Sequence, residues 1–256
     1  MKKRQGIDNK LDGHDMTVCI VIPTINEITG LKEIVPKINR EWYDRLIIVD
    51  GNSTDGTVEY ARSQGYEVIV QENKGMRMGH IQYYSQIKED IIVLFSPDGN
   101  SVAATIPLLI DEIKNGYDLV LASRYKDDAI SDDDTFLTRI GNYVFTKLIC
   151  LFGYPYTDAM VMFRAFRREV PENLRLNRLR SPIYEKSIGR FVSWEPLMSI
   201  RAAKVKMKIV ELPSDEPARI DETNKGFFLP TSRINHFKVG LAILSLVIEE
   251  LVFRRF

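Results

Sequence analysis

A chain of 256 residues has room for a full hydrophobic core in one or two domains. Its 35 Lys and Arg balance 35 Asp and Glu, so a zero net charge gives no case for nucleic acid as a partner. Two cysteines, three histidines and no CxxC or HExxH motif argue against a disulfide framework and a zinc site, and the charged start (Lys2, Lys3, Arg4) lacks the apolar stretch of a signal peptide, so a cytoplasmic, reducing setting is expected.

In chain order, the first half alternates strand and helix. Val18 to Ile22 is an unbroken apolar run that empties into Pro23-Thr24-Ile25-Asn26-Glu27. Gly30 to Arg40 follows with Leu31, Ile34, Val35 and Ile38 at helical spacing. Leu46 to Val49 empties into Asp50-Gly51-Asn52-Ser53-Thr54-Asp55-Gly56, where Asp55 suits a cap for a helix from Thr57 to Gln64 that stops at Gly65. Tyr66 to Val70 reads as a strand and Gly75 to Lys88 as a helix. Ile91 to Phe95 empties into Ser96-Pro97-Asp98-Gly99-Asn100, and a helix from Thr105 to Lys114 and a strand from Asp118 to Ala122 complete the series. Runs of this kind are strands buried on both faces, and repeated βα units imply a doubly wound α/β domain with parallel strands. Ligands of such sheets collect beyond the carboxyl ends of the strands, where this chain concentrates Asp, Asn, Ser and Gly.

Beyond Ser123-Arg124-Tyr125 the pattern changes. Lys126 to Asp134 holds five Asp in nine residues and reads as a mobile surface loop. Phe136 to Phe152 reads as a helix, Met160 to Phe166 as a strand, Trp194 to Lys204 as a helix and Met207 to Leu212 as a strand closed by Pro213. From Phe237 to Phe256 a sparsely polar helix is expected, and its apolar run Val239 to Ile248 is too short to span a bilayer. It suits a core or dimer-interface helix, or one lying in a membrane interface. The expected organisation is a domain over residues 1–230 and a C-terminal apolar or amphipathic helix over 231–256.

The motifs narrow the chemistry. No GxGxxG follows the first strand and no GxxxxGK[ST] occurs, which disfavours a Rossmann dehydrogenase and a P-loop enzyme. Asp50, at a strand's carboxyl end, suits two hydrogen bonds from a nucleobase edge or ribose. Asp98, with Ser96 and Asn100 as weaker oxygen donors, suits a hard divalent cation that takes its other ligands from substrate phosphates.

Val21-Ile-Pro-Thr-Ile-Asn-Glu27, Ile48-Val-Asp-Gly-Asn-Ser-Thr-Asp-Gly-Thr57 and Ser123-Arg-Tyr125 resemble family 2 glycosyltransferases of the GT-A fold. Within them the dolichyl-phosphate and other polyprenyl-phosphate mannosyl- and glucosyltransferases are the most similar. Asp158 to Arg168, Trp194 to Lys204, Val210 to Pro213 and Arg219 to Gly226 are similar to that group's later blocks, so the resemblance covers roughly residues 17 to 226. It implies that Pro23, Thr24, Asn26, Glu27 and Asp50 hold the nucleoside of a nucleotide-sugar, and that Lys74, Gly75 and Arg77 belong to a loop closing over the nucleotide. Asp98 matches the second aspartate of the DxD metal motif, for Mg²⁺ or Mn²⁺, while Ser96 stands in place of the first and removes one charge. Arg124 and Arg139 match phosphate-binding positions, and Arg219 with Lys225 lies in a third phosphate-facing segment.

The expected activity is therefore an inverting, metal-assisted hexosyl transfer from a GDP- or UDP-sugar, with Asp98, Arg124, Arg139 and Glu195 as catalytic candidates. The acceptor is a polyprenyl phosphate or a glycan. A lipid phosphate is already an anion and needs no strong base, whereas a sugar hydroxyl needs a carboxylate, for which Glu195 and Asp158 are the candidates. The apolar helices favour peripheral contact with the cytoplasmic membrane face, and a homo-oligomer is left open. Rival readings are a nucleotidyltransferase, weakened by the missing Gly-rich basic loop, and a catalytically weak nucleotide-sugar binding module, suggested by Ser96.

Overall fold

The computed structural model describes residues 16–178, 192–220 and 233–252, with side chains of the last segment from residue 238. The chain builds one seven-stranded sheet: β1 (Val18–Thr24), β2 (Arg45–Asp50), β3 (Glu67–Val70), β4 (Ile91–Leu94), β5 (Leu119–Ser123), β6 (Arg164–Arg167) and β7 (Ile209–Pro213), in the order β3-β2-β1-β4-β6-β5-β7. Helices α1 (Ile28–Glu33), α2 (Thr57–Ser63), α3 (Met76–Tyr84) and α4 (Ile106–Lys114) alternate with the early strands. They are followed by α5 (Phe136–Cys150), α6 (Val170–Asn173), α7 (Trp194–Lys204) and α8 (Arg233–Val252).

The apolar runs form the centre of the sheet. Cys19 to Ile22, Ile47, Ile48 and Ile91 to Leu94 have no exposed surface, as expected of strands covered on both faces. The parallel expectation fails at one strand, for β6 runs antiparallel between β4 and β5. The chain leaves β5 at Ser123, passes through α5 and returns to the same end of the sheet, where Ala122 N–H donates to Phe163 O at 3.0 Å. A strand entered from the edge its neighbour has just left must run the other way. It begins at Arg164 rather than Met160, because residues 160 to 162 line a cleft before the chain meets β5 at Phe163.

With β6 reversed, β5 is again parallel to β4, and β7 is parallel to β5. The carboxyl ends of β1, β2, β4, β5 and β7 therefore share one edge. The strand order reverses at β1, with β2 on one side and β4 on the other, so the crevice lies above this pair. Helix α1 is shorter than its apolar spacing suggests. Pro36 supplies no amide hydrogen, and the chain tightens into a 3₁₀ turn at Val35–Lys37. Gly30 lets α1 lie against the third loop, since a Cβ there would sit 2.2 Å from Pro97 O.

Helix α8 packs on α5 and α7, burying Ala242, Ile243, Leu246 and Val247. Arg201 Nη2 and Lys204 Nζ of α7 grip the Glu250 carboxylate at 2.7 and 3.0 Å. No helix among the described residues is long and apolar enough to cross a membrane.

Candidate active site

A polar cleft lies above β1 and β4, lined by all three strand-end loops, by residues 160–163 and by the segment after β7. Loops one and two are stitched together. Asn26, in the left-handed region at φ 57°, donates its N–H to Ser53 Oγ at 2.7 Å and accepts from Thr54 N–H at 2.8 Å. Glu27 N–H donates to Thr57 Oγ1 at 3.0 Å. Gly56 caps α2 in place of Asp55, which stands one residue before it and accepts from Thr57 N–H at 3.0 Å. Asp50 is 0% exposed. Its carboxylate accepts from Thr24 Oγ1 at 3.0 Å, Ser53 N–H at 2.8 Å and the Ser53 hydroxyl. The structure therefore uses Asp50 to shape the loop. Pro23, Thr24, Glu27 and Gly51 are the residues it turns to the cleft.

The predicted nucleotide loop is split. Gly75 opens α3 with φ 113°, Lys74 is exposed, and Arg77 is buried, donating to Arg178 O at 3.0 Å. Gln71 and Met76 face the cleft in their place.

In loop three, burial pushes the Asp98 carboxyl above the usual aspartate range, against the pull of Arg219 and the Ser96 hydroxyl. Arg219 Nη1 lies 3.5 Å from Asp98 Oδ2, and its Nε donates to Asp133 at 3.0 Å. Gly99, at φ 90°, lets Ile220 close over the loop, its N–H donating to Asp98 O at 3.0 Å. Asp98 and Ser96 offer the hard oxygens that Mg²⁺ or Mn²⁺ takes. Asn100 is turned elsewhere, its Nδ2 donating to Glu216 at 3.4 Å and its Oδ1 accepting from Ser101 at 3.2 Å. Among the described residues no group of three His, Cys, Asp or Glu encloses a metal. The donor set fits a cation that draws its remaining oxygens from a substrate diphosphate.

Arg124, after β5, makes a bidentate pair with the fully buried Asp158, Nε to Oδ2 at 2.6 Å and Nη2 to Oδ1 at 3.0 Å. Its Nη1 lies 3.3 Å from Glu216 Oε1. Burial works against the Arg124 charge, but the two carboxylates outweigh it and raise the pKa. The acidic loop is anchored rather than hanging free. Ser131 and Glu216 form a β-bridge, with Glu216 N–H donating to Ile130 O at 2.9 Å and Asp132 N–H to Glu216 O at 2.8 Å.

Two catalytic candidates lie apart from the cleft. Arg139 is exposed on α5. Glu195 is 2% exposed and packed under α3, its Oε1 3.3 Å from His80 Nε2, with the His80 ring stacked on Trp194. Burial alone would raise its pKa, but His80 and Arg164 bring it below the usual glutamate range. The other candidate base, Asp158, is occupied by Arg124, and Lys225 lies outside the described residues.

Residues 19–175 match the family model described as glycosyl transferase family 2. The chain belongs to glycosyl transferase family 2. It is 28% identical over 236 residues to a dolichyl-phosphate hexose transferase of Haloferax volcanii, covering 91% of this chain and 95% of that one. It is 27% identical over 209 residues to a dolichol-phosphate mannosyltransferase of Pyrococcus furiosus, covering 77% and 56%. It is 29% identical over 154 residues to the glycosyltransferase AglJ of Haloferax volcanii, covering 59% and 50%. The chain thus spans about half the length of two of these relatives and nearly all of the third. Among solved structures it is similar to glucosyl-3-phosphoglycerate synthase of Mycobacterium tuberculosis in complex with UDP, with a TM-score of 0.63 at 18% identity, covering 91% of this chain and 80% of that one. The fold is GT-A, as the motifs imply.

For a family 2 glycosyltransferase the cleft also holds residues that the motifs did not single out: Gln71, Met160, Asp215 and Glu216. The signal for the last two was present. They follow β7 as the acidic loops follow β1, β2 and β4, but a strand ending in Pro213 reads as a closing element until its direction is known.

Proposed function

We propose that this family 2 glycosyltransferase moves a hexose from a nucleoside diphosphate sugar onto an acceptor carried by a lipid, at the cytoplasmic face of a membrane. One observation carries the reading. The polar cleft opens into an apolar groove of about 660 Å³ between α5 and α8, and Arg124, Met160, Glu216 and Arg219 line both. Leu137, Phe145, Leu241 and Leu244 wall the groove. At its rim, Leu137 is 66% and the neighbouring Phe136 82% exposed, beside Ile140, Tyr143 and Val144 and the exposed cations Arg139 and Lys147. An apolar helix face set with cations and no acid suits the boundary between headgroups and acyl chains.

In this reading Thr24, Glu27 and Gly51 receive the nucleoside, with Pro23, Asn26 and Asp50 shaping their loops. Asp98 and Ser96 would hold Mg²⁺ or Mn²⁺, and Arg219 lies beside Asp98. The ion would neutralise charge on the departing diphosphate. A single displacement, with inversion at the sugar carbon, needs no enzyme nucleophile. The Pyrococcus relative and the hexose transferase of Haloferax carry dolichol phosphate or dolichyl phosphate in their names, and solved complexes of the mycobacterial synthase contain UDP and Mn²⁺.

The test is thermal melting with GDP-, UDP-, CDP- and dTDP-hexoses, with and without Mn²⁺, followed by transfer of radiolabelled hexose into extractable lipid. One donor is expected to stabilise the fold by about 2.7 kcal/mol when present at 100 times its Kd. Stabilisation by none of them, or label recovered only in water-soluble products, sinks the reading.

A further inference from the structure

Where the polar cleft meets the apolar groove, the protein places a carboxylate. Glu216 is 7% exposed and lines both spaces. Its backbone is pinned on both sides by the Ile130–Asp132 segment, and Ile130 N–H is held in turn by Asp215 Oδ1 at 2.9 Å. Its Oε2 accepts from the Ser131 hydroxyl. Among the described residues its Oε1 meets long contacts, Arg124 Nη1 at 3.3 Å and Asn100 Nδ2 at 3.4 Å. A carboxylate has about four lone-pair sites, so Oε1 has capacity for a further donor.

The charges at this junction favour a neutral guest. Arg124 sits between Asp158 and Glu216, and Arg219 between Asp98 and Asp133. Among the described residues, each guanidinium is thus held between two carboxylates, of which Asp98 also faces the cation of the donor reading, and Asp134 stands on the groove wall. A phosphate monoester brings about −1.5 to −2 charges. To reach Arg124 it would have to displace a buried carboxylate, which would then be left without its cation. A sugar hydroxyl brings no charge and donates to a carboxylate directly.

We propose that Glu216 determines the acceptor class: its Oε1 accepts a hydrogen bond from the attacking hydroxyl of a lipid-borne sugar headgroup, takes that proton as the new glycosidic bond forms and the sugar–diphosphate bond breaks, and its charge turns away a lipid phosphate. The inference rests on the lipid-acceptor reading above and sharpens it. The lipid tail occupies the α5–α8 groove, and the first polar group at its end meets Glu216, with the Asn100 and Ser101 side chains beside it.

The test uses the full chain, the donor that stabilises it and Mn²⁺, with two acceptors of similar tail length, an alkyl glycoside and a prenyl phosphate. Wild type is expected to use the glycoside at least tenfold better in kcat/KM. E216Q is expected to lower kcat with the glycoside about a hundredfold, the scale of losing a general base, and to leave the donor KM unchanged. The same variant should improve use of the prenyl phosphate, because Arg124 then faces one carboxylate instead of two. E216D keeps the charge but shortens the reach, so it should lose glycoside turnover and still reject the phosphate. A wild type that prefers the prenyl phosphate overturns the inference. So does an E216Q that loses both acceptors equally, as a purely structural role requires, or an E216D that accepts phosphate as E216Q does. Donor-dependent stabilisation with transfer to neither acceptor overturns it too. Absence of donor stabilisation in the wild type sinks the donor reading instead.

Discussion

Arg219 reaches across the cleft to Asp98, placing Nη1 3.5 Å from Oδ2 and joining the segment after β7 to the loop after β4. This contact ties the carboxylate expected to face a metal to the part of the chain that closes over it. It also keeps a buried carboxyl partly compensated, since burial alone would push Asp98 further up.

Asp98→Asn is the direct test of the metal role. The variant is expected to fold and to lose about 10²–10³ in kcat, the scale for removing one preorganised electrostatic group from a transition state. Manganese-dependent turnover of the donor measures it, with melting temperature as the folding control. Turnover within fivefold of wild type would remove Asp98 from the mechanism.

Glu195→Gln separates burial from catalysis. Glu195 lies against His80 and Trp194 away from the cleft, so the amide should cost stability, about 1–3 kcal/mol for a buried polar group whose partner is weakened, while kcat of the folded fraction stays within a few fold. Urea denaturation and kcat per folded molecule give the two numbers. A drop of 10³ or more in kcat with unchanged stability would restore Glu195 as the base.

Glu250 gives a pH-dependent prediction. Burial acts to raise its pKa, but Arg201 and Lys204 outweigh that and lower it from 4.5. The folded state therefore holds the ionised form more strongly than the unfolded chain does. Its contribution is present above the unfolded pKa and is lost as pH falls through the folded one. Glu250→Gln should destabilise the protein at pH 7, and the deficit should shrink once the pH drops below the ordinary glutamate range. Chemical denaturation of both proteins across that range checks the sign, and a deficit that grows in acid contradicts it.

Phe136 and Leu137 test the membrane surface. Both are exposed, so replacing them with Ser should leave stability within about 0.5 kcal/mol. Flotation with anionic liposomes should fall clearly, because burying each large apolar side chain contributes about 1.5–3 kcal/mol. Equal flotation of the double variant and the wild type would remove α5 from the membrane contact.

Most of the sheet was legible from the sequence because the signal is local. An unbroken β-branched run such as Ile91 to Leu94 must be covered on both faces, whatever surrounds it. The direction of β6 was not legible, since four residues with arginine at each end read the same in either direction. Only the return of the chain from α5 decides it. The acidic loop from 126 to 134 looked free because polar composition reports solvation, whereas its anchoring depends on a bridge to Glu216, 85 residues away from Ser131.

By itself, the sequence determined which loops gather at one edge of the sheet. Three apolar strands ending in acidic loops on one edge of a sheet imply a polar ligand there, because backbone hydrogen bonding and burial fix the strands and leave the loops to bind. The tertiary structure decided which acids face the cleft. Asp50 turned inward to three hydrogen bonds from its own loops, Glu195 was buried beside His80, and Glu216 came to the junction of cleft and groove. A carboxylate's role depends on what lies within a few ångströms of it, and those neighbours come from parts of the chain that the local pattern does not connect.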